Sequence, residues 1–302
     1  MPLPSFRLAI ISTFAFTVSG CVASGTALTP VVQDEGPALW RLADDDTEIV
    51  FLGTVHLLPE TLDWQRQDLR VALENADLVY LETDVRSVSQ DDQLTFTRLG
   101  SAADGEHLTD LLDEATFQDL ETALAGLNIS VSFLAERQPW YAALALSRVA
   151  LESHGFLSEF GAENWVLREL ADTTRPVRSL ETMSDVARNL SALPMPTQLT
   201  LLTESLADLG GLKSRYVETI ETWVAGDTQH LHELVMADLA ENLPEVYDAL
   251  IVARNRNWLP QVTNIMEEET GNVVIAVGSA HLIGPDSLLN MLESEGWSVE
   301  RY

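Results

Sequence analysis

Apolar residues along this chain follow two patterns, short unbroken runs and longer stretches with the three-to-four-residue spacing of a helix. The short runs predict strands at 38–42, 48–53, 77–81, 176–180, 272–277 and 297–301. The longer stretches predict helices at 61–75, 108–154, 161–171, 193–265 and 286–295, with interruptions that include Gly210-Gly211. This order of elements predicts an α/β (mixed α+β) domain, with a central sheet and a large helical insertion at about 185–265.

One local pattern occurs twice, near the two ends of the predicted domain. A strand runs into Gly53-x-x-His56 in the first copy and into Gly278-x-x-His281 in the second, and each copy continues through a helix to a further strand. Either motif alone is short, and a structural histidine is then the alternative interpretation. Because both histidines follow the carboxyl end of a strand, two such units in one sheet predict His56 and His281 at a common crevice.

Charged residues in similar positions extend this candidate site. Glu82 and Glu181 each follow a predicted strand directly, where a carboxylate is costly unless it is paired, hydrogen-bonded or bound to a metal. An exposed turn or a helix cap is the alternative for both. Glu163 begins a predicted helix and would also complement the helix dipole. Arg254 ends an apolar helical stretch, where a surface salt bridge is the alternative.

The charge balance restricts the partners that this protein can bind. The chain has 17 lysines and arginines against 47 aspartates and glutamates, so its formal net charge is −30. Such a surface repels phosphate backbones and no basic patch offsets it, which excludes a nucleic-acid partner. We expect solvated acidic faces, which also suit a salty habitat. Because Cys21 is the only cysteine, no disulfide within the chain and no second thiol are possible.

The N-terminal residues predict export. Residues 8–18 form an apolar run of signal-peptide length, and small residues then precede Cys21. This arrangement resembles the lipobox of bacterial lipoproteins, which implies cleavage before Cys21 and its lipidation. The residue after Cys21 is Val22 and not an aspartate, which resembles the pattern that sorts lipoproteins of Gram-negative bacteria to the outer membrane. An ordinary signal peptide with an incidental cysteine is the alternative. We expect a protein of the cell envelope, lipid-anchored in the outer membrane and facing the periplasm, with a signal peptide at 1–20, a lipidated cysteine and tether at 21–37 and the domain at 38–302.

Several short motifs, taken together and in order, carry a family resemblance. They are Gly53-Thr54-Val55-His56, Leu81-Glu82-Thr83-Asp84, Gly161-Ala162-Glu163, Ser179-Leu180-Glu181-Thr182, Trp223-Val224-Ala225-Gly226-Asp227, Arg254-Asn255 with Trp258, and the closing stretch 277–285. Over about residues 39–302 the chain resembles the TraB/GumN family, which includes the Tiki-type proteases and is related to the erythromycin-esterase-like group.

The resemblance implies a metal-dependent hydrolase, with a peptidase favoured. Carried over residue by residue, it implies His56, His281 and Glu82 as metal ligands. The implied catalytic residues are Glu82, Glu181, Glu163 and Arg254. The resemblance to the Tiki-type proteases implies manganese or cobalt in preference to zinc. Two imidazoles and a carboxylate suit such an ion, which polarises a carbonyl and activates water. The sequence does not decide which glutamate is the ligand and which is the base.

Two other functions stay open from the sequence. Some members of this family are known for sequestering peptide pheromones, so the same cleft can bind a peptide without turnover. Distant relatives use such histidines for haem or iron, which is a second alternative. In the enzymatic interpretation the substrates are peptides or small exported molecules. The specific substrate and the oligomeric state are not contained in the sequence.

Overall fold

The computed structural model describes residues 36–302, in which six strands form one sheet. The strands are β1 Leu39–Ala43, β2 Thr47–Thr54, β3 Leu78–Leu81, β4 Val177–Ser179, β5 Gly271–Gly278 and β6 Val299–Arg301. Their order across the sheet is β4-β3-β5-β2-β1-β6, and β1 is the one strand of the six that runs in the opposite direction to the others. The predicted α/β (mixed α+β) class is confirmed.

The central strands are apolar on both faces because helices cover the sheet on both sides. Along β2, Val50 and Leu52 pack into one core, while Ile49 and Phe51 pack into a second core on the opposite face. This alternation follows from the two-residue period of a strand. The sheet is therefore buried between two layers, and its strand ends are the places where polar side chains can reach a cleft.

Twelve α-helices are described in residues 36–302. They are α1 Gln67–Asn75, α2 Gln90–Leu99, α3 Glu114–Gly126, α4 Pro139–Ser153, α5 Ala162–Glu169, α6 Met183–Ser191, α7 Met195–Val224, α8 Thr228–His232, α9 Asp238–Asn242, α10 Pro244–Tyr247, α11 Ala253–Glu268 and α12 Leu288–Ser294. Two π-helical turns, Glu233–Ala237 and Asp248–Val252, join α8 to α9 and α10 to α11. The stretch between β4 and β5 is thus almost wholly helical.

Two details of the predicted elements are wrong. Gly210-Gly211 does not interrupt its helix, since α7 continues through both glycines to Val224. Glycine costs about 1 kcal/mol in a helix, but the packing of α7 along α4 outweighs this preference. The helix predicted at 61–75 begins only at Gln67. Helix α2 was not predicted, and α6 was covered only by the predicted helical insertion at about 185–265.

The predicted signal peptide, Cys21 and all but the last two residues of the predicted tether lie outside the described residues. Within residues 36–302, none of the helices is both long enough and apolar enough to cross a membrane.

Candidate active site

The two G-x-x-H turns lie side by side because β2 and β5 are adjacent parallel strands. In their register Gly53 is opposite Val277, and Thr54 is opposite Gly278. A Cβ atom at Gly278 would lie 3.3 Å from Oε2 of Glu82 and 3.6 Å from Nε2 of His56. It would also lie 3.6 Å from Cδ2 of His281. Three of the predicted site residues therefore converge around Gly278, at the carboxyl edge of the sheet.

His56 is held by Glu163, a residue from the start of α5. The Nδ1 atom of His56 lies 2.5 Å from Oε1 of Glu163, and the Thr54 hydroxyl donates to the same oxygen. Burial alone would lower the pKa of His56, but the negative charge and hydrogen bond of Glu163, together with the charge of Glu82, outweigh burial and raise this pKa. The helix can approach so closely because of Gly161, where a Cβ atom would lie 2.1 Å from the carbonyl oxygen of His56.

His281 is held by a neutral partner instead. Its Nδ1 atom lies 2.7 Å from Oδ1 of Asn255, which is fully buried, and its ring centroid is 4.3 Å from that of Trp258. Burial and the positive charge of Arg254 keep the pKa of His281 well below its usual range. His281 is therefore a neutral imidazole at neutral pH.

Arg254 joins two buried glutamates. Its Nε atom donates to both carboxylate oxygens of Glu181, at 3.0 and 3.1 Å, and its Nη2 atom donates to Glu82 and Glu181 together. The Nη1 atom donates to the carbonyl of Leu250 at 2.9 Å, and the guanidinium lies 5.0 Å from the ring centroid of Trp258. Arg254 is only 4% exposed, so the surface salt bridge considered from the sequence is wrong.

The two glutamates differ in their electrostatic environment. Burial would raise the pKa of Glu82, but Arg254, the two histidines and the backbone N–H of Gly278 together lower it. That N–H donates to Oε2 of Glu82 at 3.0 Å. For Glu181, burial outweighs the attraction of Arg254 and the pKa is raised. Glu82 is thus the stronger acid of the pair.

These polar groups, Ala280 and a set of larger apolar side chains line a small cavity of about 20 Å³. The polar floor of this cavity consists of His56, Glu82, Arg254, Gly278 and His281. Its cover, which we call the roof, consists of Val186, Met236, Leu239, Leu250 and Ile251. Such a volume holds a water molecule or an ion. Both π-helical turns contribute to the roof, and π-helical turns occur frequently at functional sites.

All the residues singled out within the described part of the chain thus meet in one region. His56, Glu82, Arg254 and His281 line the cavity, while Glu163 and Glu181 lie behind His56 and Arg254. The helix-cap alternative for Glu181 is wrong, because Thr182 caps α6 with its own side chain. The sequence reasoning missed Asn255 as a partner of His281 and missed the roof. The one sequence signal for Asn255 was its position directly after Arg254 in the family motif.

The donor chemistry of this floor fits a divalent ion. Each histidine has its Nδ1 atom held by an oxygen of a neighbouring side chain, the arrangement that orients metal-ligating imidazoles in proteins. Two imidazoles with a carboxylate suit a divalent transition-metal ion. An ion needs several ligands close together. Among residues 36–302, no group of three or more histidine, cysteine, aspartate or glutamate side chains is already arranged to hold an ion. Both oxygens of Glu82 accept hydrogen bonds, so Glu82 must exchange one of them to act as a ligand.

Comparisons with known proteins give relatives that are themselves uncharacterised. The chain is 24% identical to the uncharacterised protein YbaP of Escherichia coli over 241 residues, which are 80% of this chain and 86% of the relative. The Shigella flexneri YbaP gives the same values. An uncharacterised protein of Treponema pallidum is 21% identical over 277 residues, 88% of this chain and 83% of the relative. No solved structure matches. The model of the TraB/PrgY/gumN family matches residues 38–301, and the chain belongs to this family.

Proposed function

We propose that this protein is a metal-dependent hydrolase, preferentially a peptidase, that acts on peptides or small exported molecules at the cell envelope. The observation that carries the proposal is that His56, His281 and Glu82 line one buried cavity. The Nδ1 atom of each histidine already contacts a side-chain oxygen of a residue outside the cavity. Histidines that serve only the core have no need of a shared polar cavity.

His56, His281 and Glu82 are the residues proposed to hold the ion. Manganese or cobalt is preferred to zinc on the basis of the resemblance to the Tiki-type proteases. When bound, such an ion polarises a carbonyl group and lowers the pKa of a water molecule. His281 is suited to this role because a neutral imidazole has a lone pair to offer, and its low pKa keeps it neutral. The pKa of His56 is raised, so His56 is proposed to release a proton when the ion binds.

The remaining polar residues have distinct proposed roles. Arg254 lines the cavity, and its guanidinium is proposed to stabilise negative charge that develops on the substrate oxygen. Glu163 and Glu181 do not line the cavity but bond to His56 and Arg254 from behind. We therefore propose that these two glutamates position their partners, and that Glu82 is the carboxylate that reaches the reacting groups.

Substrate access requires the roof to move. A volume of about 20 Å³ admits a water molecule or an ion but no peptide. The roof is wholly apolar, so its residues would be exposed to water when it opens. An apolar side chain of a bound peptide would cover them again and keep most of the apolar surface buried. This feature supports peptides with apolar residues as the preferred substrates.

Cleavage of a peptide library by the purified protein, with manganese added or removed, tests the proposed activity. His56→Ala and His281→Ala are expected to abolish cleavage while the unfolding midpoint stays close to that of the wild type. His154→Ala is the matched control, since His154 is exposed and does not line the cavity. Full cleavage by both variants, or cleavage that does not depend on the ion, would contradict the proposal.

A peptide-binding protein without turnover is the second candidate. It is favoured by the observation that both oxygens of Glu82 are already engaged, by Arg254 and by the N–H of Gly278. The same assay separates the two functions. Tight binding with the peptide recovered intact by mass spectrometry supports the binder, whereas fragments support the hydrolase.

We also propose that Cys21 anchors the protein in the outer membrane through an attached lipid, on the periplasmic side. The proposal rests on the apolar run and small residues that precede Cys21. The Cys21→Ser variant is expected to lose the lipid mass and to leave the membrane fraction. A variant that stays membrane-bound in the same proportion as the wild type would contradict the lipid anchor.

A further inference from the structure

The amide of Asn255 is fixed in one orientation by two backbone carbonyl groups. Its Nδ2 atom donates to the carbonyl oxygen of Asp286 at 2.8 Å and lies 3.4 Å from that of His281. Carbonyl oxygens only accept hydrogen bonds, so the NH₂ group must face them. The Oδ1 atom of Asn255 is then the atom that faces Nδ1 of His281, at 2.7 Å.

This orientation determines where His281 carries its proton. Oδ1 of an amide is an acceptor only, so a hydrogen bond at 2.7 Å requires Nδ1 of His281 to be the donor. In a neutral imidazole one nitrogen carries hydrogen and the other offers a lone pair. The Cδ2 atom of His281, which is bonded to Nε2, lies on the side of Gly278, and both residues line the cavity. The lone pair of His281 is therefore at Nε2, towards the cavity.

We propose that Asn255 is a positioning residue that fixes His281 as the Nδ1–H tautomer and so presents the Nε2 lone pair to the cavity. The proposal concerns the protons of His281 itself and holds whether or not an ion binds there. It has one consequence that rests on the proposed function: loss of Asn255 weakens ion binding even though Asn255 touches no ion. Asn255 suits this task because it is fully buried and uncharged, so water does not compete for its bonds.

Nitrogen NMR of the full-length protein, labelled at histidine, tests the tautomer directly. The chain has six histidines, and the signal of His281 is identified by its loss in His281→Gln. The wild type is expected to show His281 with hydrogen on Nδ1 and none on Nε2. Asn255→Leu removes the acceptor but keeps the number and branching of the side-chain heavy atoms, and His281 is expected to change to the Nε2–H form or to a mixture. Asn255→Ala is measured as well, in case the leucine variant does not fold.

The matched control is Gln198→Leu, which also removes a buried side-chain amide bonded to a backbone carbonyl, that of Leu193 at 2.9 Å. It is expected to leave the His281 signal unchanged. A wild-type His281 with hydrogen on Nε2, or an Asn255 variant that keeps the Nδ1–H form, would overturn the proposal.

Titration of manganese into the same proteins measures the consequence. Asn255→Leu is expected to weaken the affinity about 10- to 100-fold, as loss of such an outer partner does elsewhere, and Gln198→Leu is expected to leave it unchanged. If the wild type binds no manganese, the proposed function fails while the NMR result still decides the role of Asn255.

Discussion

Replacement of Arg254 is the perturbation with the largest effect that we expect at this site. Arg254→Met keeps much of the side-chain length but removes the guanidinium that bonds to Glu82, Glu181 and the carbonyl of Leu250. Both glutamates then stay buried without their counter-charge. Removing one partner of a buried ion pair costs about 3–5 kcal/mol, because the other charge is left uncompensated. Here two carboxylates lose one shared partner.

We therefore expect Arg254→Met to lower the free energy of unfolding by about 3–5 kcal/mol. Urea unfolding of the purified protein measures this loss. With a urea slope of about 3 kcal/mol per molar, the midpoint would fall by about 1–1.7 M. Replacing both glutamates by glutamine in the same chain is expected to recover most of the loss, because no uncompensated charge then remains.

Arg256→Met is the matched control, since Arg256 lies on the same helix and is 66% exposed at its side chain. Its salt bridge to Asp248, at 3.6 Å, contributes about 0–1 kcal/mol at most. If Arg254→Met lowered the stability no more than Arg256→Met, the account of Arg254 as the counter-charge of two buried carboxylates would be wrong.

Three further predictions concern the support of the site and the surface. Gly161→Ala is expected to cost about 1–3 kcal/mol in urea unfolding and to reduce cleavage, because the new Cβ atom meets the carbonyl of His56; wild-type stability and cleavage would contradict this. Tyr216→Phe leaves the carbonyl of Leu57 without its buried donor and should cost about 1–3 kcal/mol; an unchanged midpoint would refute it. The net charge of −30 destabilises the folded state through repulsion between like charges, and added NaCl screens this repulsion. Tm should therefore rise as NaCl shortens the Debye length from about 30 to about 3 Å; a constant or falling Tm would contradict this prediction.

The meeting of the two histidines was predictable because it depends on local features. Each G-x-x-H turn follows a strand that the apolar run reveals, and parallel strands bring their carboxyl ends to one edge. Because β2 and β5 are adjacent strands, the two turns lie side by side, and the register of the strands places Thr54 opposite Gly278. The same rule explains Glu82, which follows β3 on the other side of β5.

The partners behind the histidines could not be predicted from the residues alone. Glu163 lies on a helix that reaches His56 only because Gly161 permits the close approach, and no local pattern carries that information. Asn255 contacts His281 across the space between α11 and the second turn. The π-helical turns of the roof likewise have no signal in the apolar spacing, since their flanking helices give the usual period. Gly210-Gly211 shows the reverse case, in which packing overrides a local preference.

The central claim is that two histidines from opposite ends of the domain form one ion-binding site. Calorimetric titration of manganese into the purified protein tests it most directly, in the wild type and in the single variants His56→Ala and His281→Ala. We predict one ion per chain in the wild type and loss of that binding in each variant. Undiminished binding in either variant, or a wild type that binds no ion, would contradict the claim.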